Sequence, residues 1–134
     1  MNIILGIFFI LHGLVHLLYF GQSARLFELK SRMSWPDDSW VFIRLFDKDS
    51  TRFIASVACI WASVIFIAAG IALFLTQSWW HPVVISASAF STVLFIVFWD
   101  GKLQLLTNKG LIAVLINLVI IITLLVFQWP SFVF

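Results

Sequence analysis

Charge is absent from four long stretches of this chain, at about residues 3–20, 53–76, 79–99 and 110–128, and each is dominated by Leu, Ile, Val, Phe and Ala. An α-helix rises 1.5 Å per residue, so runs of this length cover a hydrocarbon layer about 30 Å thick with modest tilt. Backbone N–H and C=O groups in lipid have no water to bond, so a crossing segment of this kind closes its own ladder as a helix. The pattern predicts an all-α integral membrane four-helix bundle, one domain over residues 1–134, with a first loop at 21–52. That loop carries its own helix signal. Ser34 precedes Pro36, Asp37 and Asp38, the order of an N-cap and an acidic first turn, and Trp40, Val41, Phe42, Ile43, Leu45 and Phe46 follow. A short amphipathic helix at the membrane interface is expected there, and Asp49 or Ser50 is expected to cap the second span.

Composition narrows the class further. Of 134 residues, 63% are hydrophobic and only 10% charged, and the mean hydropathy is +1.11. A water-facing surface needs about a quarter charged residues. The net charge of +2 comes from eight basic residues split between two loops, which form no stripe or arm for nucleic acid. Cys59 is the one cysteine, so the chain has no internal disulfide and no cysteine-based zinc motif.

Basic residues also give a direction. Arg25, Lys30, Arg32, Arg44, Lys48 and Arg52 lie between the first and second runs, and Lys102 and Lys109 between the third and fourth. Lys and Arg accumulate on the cytoplasmic side of spanning segments. Both charged loops are therefore expected inside and both termini on the non-cytoplasmic side of the cell membrane, with the first run an uncleaved span. Trp79, Trp80 and Trp129 then fall at the outer boundary and Trp35, Trp40 and Trp99 near the inner one, while Trp61 sits within a span.

The chemistry is concentrated in a few polar side chains inside the apolar runs. On a helical wheel Gly6, Phe9, His12, Gly13, His16 and Phe20 share about a third of the circumference. Glycine on such a face marks the close approach of a second helix. Ser56, Cys59, Ser63 and Gly70 make a small-residue face on the second run. The candidate binding residues are His12, Ser63, Ser91, Thr92 and Asn117, which by depth lie close to the midplane, and His16, one turn nearer the cytoplasm. Polar groups are costly in hydrocarbon unless paired, so this set has two explanations: helix packing, or a binding site. His12 and His16 stand at i and i+4, a spacing that can share a metal, with Cys59 as the nearest soft ligand. The residues between them include no glutamate, however, so the zinc-protease helix pattern is incomplete.

Two stretches resemble known proteins. Leu5 to Gly13, with its His12-Gly13 pair, continuing to Phe20-Gly21, resembles the first helix of DoxX-like membrane proteins, many of which carry a lysine near the position of His16. Trp79-Trp80, Ser91, Phe98 to Lys102 and Asn117 together are similar to the C-terminal half of a set of small four-helix bacterial and archaeal proteins. The first resemblance implies an accessory role beside a membrane redox partner, and the second implies no activity.

The chain contains no recognisable catalytic motif. The expected function is binding or passage of a small polar solute or proton at the intramembrane His/Ser/Asn cluster. The rival is an accessory subunit of a redox or thiol system that binds a quinone, haem or metal, and a third possibility is a structural partner of a larger complex. The cofactor is unknown, the bilayer is the expected partner, and homo-oligomerisation is compatible with so small a chain.

Overall fold

A computed structural model of the chain describes residues 1–28, 35–101 and 110–131. Within them lie four α-helices: α1 (Asn2–Ser23), α2 (Lys48–Phe74), α3 (Trp80–Val97) and α4 (Leu111–Leu125). The first three are long and apolar enough to cross a membrane, which marks the chain as a membrane protein. α4 is more apolar than the other three but has 15 residues, about 22 Å of helix.

Beside an apolar core, the interior holds a set of polar side chains while large apolar ones face outward. His12, His16, Ser63, Ser88, Ser91 and Asn117 are buried, while Ile4, Leu11, Trp61, Val93, Val119 and Leu125 are exposed. In water this distribution would cost free energy on both counts; with hydrocarbon outside it is the favourable one.

α1 packs most extensively on α2, α2 on α3 and α3 on α4, whereas the backbones of α1 and α4 barely meet. Small residues set the first contact. A Cβ on Gly70 would lie 2.6 Å from the Gly6 carbonyl oxygen, and one on Gly13 would lie 3.0 Å from that of Ser63. Residue 6 therefore faces 70 while 13 faces 63, so α1 and α2 run antiparallel with their backbones touching at both levels. Ser56 and Cys59 continue the small face of α2, and both are buried.

Two helix ends depart from the usual residue choice. Arg25 and Thr76 have φ of 59° and 53°, left-handed values that glycine usually supplies at a helix C-terminus. After α1, Leu26 N–H donates to Gly21 O (2.9 Å) and Arg25 N–H to Gln22 O (3.2 Å). After α2, Gln77 bonds Ala72 O and Thr76 bonds Leu73 O in the same manner.

The helix expected after Ser34 is replaced by turns and a single 3₁₀ helix (Phe42–Arg44); Ser34 itself lies outside the described residues. Ser39 Oγ donates to Val97 O (2.6 Å), Trp40 Nε1 to Ile96 O (2.7 Å) and the Trp40 N–H to Trp99 O (2.7 Å). The loop thus caps the carbonyl end of α3, where four orphan acceptors need donors, and a regular helix could not spend its own backbone N–H that way.

Asp37, expected in a helix first turn, is instead buried and accepts from two arginines. Arg52 donates from Nε to Oδ1 (2.7 Å) and from Nη2 to Oδ2 (2.6 Å), and Arg25 Nη2 lies 2.8 Å from Oδ2. Asp37 thus bridges Arg25, just past the end of α1, to Arg52 near the start of α2, the latter pair being bidentate. The cap of α2 is Asp47, whose carboxylate accepts from Ser50 N–H (2.9 Å), in place of Asp49 or Ser50. Trp35 and Trp80 are both buried against neighbouring side chains.

Gly70→Leu should lower unfolding stability by about 1–3 kcal/mol or more, since a side chain there must force the α1 and α2 backbones apart. Thermal unfolding in detergent would show this, with Ile71→Leu on the exposed face unchanged. Burial alone would raise the Asp37 carboxyl, but the hydrogen bond from Arg52 and the charge of Arg25 outweigh it and hold the carboxyl below its ordinary 3.8. A depressed value stabilises the fold above the unfolded-state value and loses that contribution as pH falls through the folded one. Stability should therefore drop on acidification below about pH 4, and Asp37→Asn should be less stable at neutral pH with a flatter acid limb.

Candidate functional site

Three helices contribute to one closed set of hydrogen bonds. His12 Nε2 lies 2.8 Å from Asn117 Oδ1, Asn117 Nδ2 donates to Ser91 Oγ (2.8 Å), Ser91 Oγ lies 2.6 Å from His16 Nε2, and His16 Nδ1 lies 2.9 Å from the His12 carbonyl oxygen. α1 places its two histidines one turn apart on one face, and the glycines between and before them bring that face against α2. α3 supplies Ser91 and α4 supplies Asn117. All four side chains are buried.

The directions of these bonds follow from one fixed point. A carbonyl oxygen only accepts, so His16 Nδ1 carries the proton and donates to His12 O. Neutral His16 then has a lone pair on Nε2, which accepts from the Ser91 hydroxyl. Ser91 Oγ in turn accepts from the Asn117 amide nitrogen, which leaves Asn117 Oδ1 to accept from a proton on His12 Nε2. Turning the Asn117 amide over would make Ser91 donate to Oδ1 and strand the His16 lone pair against the serine oxygen. Both rings are buried and bond only uncharged partners, an environment that favours the neutral imidazole, and for neutral rings these bonds require opposite tautomers. His12 Nδ1 keeps a lone pair that makes no hydrogen bond among the described residues.

Apolar layers enclose this level on both sides. Phe9, Phe66, Leu73, Trp80 and Leu124 belong to one cluster, and Tyr19, Trp35, Cys59, Leu94 and Phe95 to the other. Phe66 meets both imidazoles, edge-on to His12 with ring centres 4.7 Å apart and stacked on His16 at 5.4 Å. Phe8 stacks on His12, with planes 3° apart.

Of the candidates read from the sequence, His12, His16, Ser91 and Asn117 come together. Ser63 is buried beside Gly13, but its hydroxyl has no partner among the described residues and stands outside the network. Thr92 turns its hydroxyl back to Ser88 O (2.8 Å) on its own helix. Cys59 lies in the apolar layer with Tyr19. Among the described residues no group of three His, Cys, Asp or Glu side chains could hold a metal, and the His12–His16 pair cannot share one while His16 Nε2 is engaged by Ser91. Sequence reasoning missed Phe66, because an aromatic residue in an apolar run looks like any other core residue; its position three after Ser63, on the face toward α1, was the available signal.

Beside the network, the gap between α1 and α4 forms two cavities. One of about 350 Å³ is walled by Phe8, Phe9, Ile116, Val119, Ile120 and Leu124 among others. The second, about 260 Å³, is lined by His12, Val15, Tyr19, Ile112, Ala113 and Ile116. They share Ile112 and Ile116, so they form neighbouring regions of one cleft, mainly apolar, with His12 and Tyr19 in the wall of one part and Thr123 in that of the other. Comparison with protein-family models, with characterised proteins and with solved structures found no match to this chain.

Asn117→Leu removes one acceptor and one donor from a buried set and should destabilise the protein by about 1–2 kcal/mol, within the range for hydrogen bonds between membrane helices. In a double-mutant cycle with His12→Phe, the double variant should lose less than the sum of the two single variants. Strict additivity in detergent unfolding would contradict the network.

Proposed function

We propose that this protein is a multi-pass protein of the cell membrane that binds a lipophilic small molecule in the cleft between α1 and α4, holding its polar end at His12. All four helices cross the bilayer on this view, with the basic loops cytoplasmic and both termini outside. The observation that carries the proposal is the His12 imidazole in the wall of a cleft lined mainly by apolar side chains, between two helices with little mutual backbone contact. A molecule dissolved in the bilayer can reach such a cleft sideways, with no aqueous path.

Binding is favoured over passage of a solute or proton for two reasons. The polar level is closed on itself between two apolar clusters. Its middle member is also an amide, Asn117, which cannot hand a proton on without becoming a high-energy imidic tautomer. The redox-accessory alternative, to which the DoxX-like resemblance points, fits the same cleft if the bound molecule is a member of a quinone couple. A bis-histidine haem fits poorly, because His16 has no lone pair to spare.

A long-chain aliphatic alcohol bearing a diazirine, photolysed with the protein in nanodiscs, should label the cleft faces of α1 and α4. Ile116→Trp, which fills the shared wall without touching the network, should cut that labelling several-fold. Labelling spread evenly over exposed faces such as Val57 and Ile60, and unchanged in Ile116→Trp, would remove the proposal.

A further inference from the structure

The two nitrogens of the His12 imidazole have opposite character, and their roles bear on which molecules the proposed cleft site would hold. Nε2 is committed as a donor to Asn117 Oδ1 at 2.8 Å. That commitment is fixed three bonds away, by the His16 Nδ1–H that faces the His12 carbonyl at 2.9 Å. The remaining nitrogen, Nδ1, is therefore an acceptor, on a ring that is only 4% exposed and that lines the smaller cavity. Trp35 Nε1 and the hydroxyls of Ser63 and Ser88 are the fully buried side-chain polar atoms without a partner among the described residues, and none of these three residues lines the cleft.

From this, and resting on the cleft-binding reading, we infer that the cleft selects lipophilic molecules whose polar end is a hydrogen-bond donor, a hydroxyl on an aromatic or aliphatic head, over otherwise identical molecules that carry only acceptors. A hydroxyl donates to the Nδ1 lone pair. A ketone, quinone or ether oxygen brings a second lone pair against it and leaves both groups dehydrated and unpaired. A site built to pair a hydroxyl rejects the analogue that lacks it far more strongly than an apolar pocket discriminates size. The selectivity is set by Asn117, Ser91 and His16, none of which need touch the ligand. If the ligand is a redox couple, the reduced, hydroxyl-bearing member is the one retained. The cleft dimensions agree: its α4 wall runs from Ile112 to Leu124, about 18 Å of helix, which accommodates an extended alkyl or isoprenoid chain beside the head.

The test uses the full chain in nanodiscs and three probes with the same alkyl tail: a para-alkylphenol, its methyl ether and the matching alkyl benzoquinone. A radiolabelled phenol is bound, then displaced by each unlabelled compound. The phenol should displace at concentrations at least about ten-fold lower than the ether or the quinone, the discrimination of one buried hydrogen bond. His12→Phe should abolish the difference and leave all three at the level of the ether. Since that variant also removes a network bond, Ile116→Trp serves as a second variant: with the network intact, it should weaken all three probes together. Equal displacement by the three compounds in the native protein would overturn the donor selectivity while leaving cleft binding in place. Absence of any displaceable binding would overturn the cleft itself, and the selectivity with it.

Discussion

A hydrogen-bonding side chain surrounded by hydrocarbon has no water to fall back on, and this constraint organises the centre of the molecule. His12, Asn117, Ser91 and His16 meet it by satisfying one another through α1, α4 and α3. The bond from His16 to the backbone of His12 closes the set and also fixes the sense of every other bond. Displacing any one member leaves at least one buried donor or acceptor without a partner, so the relative positions of three helices are coupled at a single level. Dispersion contacts in the clusters on either side then tighten an arrangement that the polar level has already registered.

α1 and α2 are joined by a different means. Their backbones touch at Gly6 against Gly70 and at Gly13 against Ser63, and such contact needs no hydrogen bond, only the absence of side chains. The Asp37 carboxylate, bridging Arg25 and Arg52, fastens the same two helices at one end. α1 is thus held firmly to α2 along one side, while on the other side it reaches α4 through the His12–Asn117 bond and through side chains of the two apolar clusters.

Local patterns in the chain were sufficient for much of this. Helix positions follow from uncharged runs, and the small-residue faces of α1 and α2 followed from spacing because helical periodicity alone decides which residues share a face. His12, His16, Ser91 and Asn117 were identifiable as interior residues for the same reason. Other features were illegible. Ser63 and Thr92 have the same depth and polarity as Ser91, yet one lacks a bond among the described residues and the other returns to its own helix. The helix expected in the first loop gave way to turns because Ser39 and Trp40 serve the carbonyl end of α3, a demand made by a segment nearly sixty residues away. Asp37 looked like a capping acid for similar reasons; its arginine partners are separated from it in sequence and met only on folding.

The sequence by itself determined that the described helices are apolar, where they run, and which few polar residues they carry inward, because hydropathy and periodicity are properties of short windows. Only the tertiary structure decided which of those polar residues bond to which, that the backbones of α1 and α4 stand apart, and which nitrogen of His12 faces Asn117. Those outcomes depend on distances between segments far apart in the chain, and on a circuit of donors and acceptors in which each direction is set by all the others.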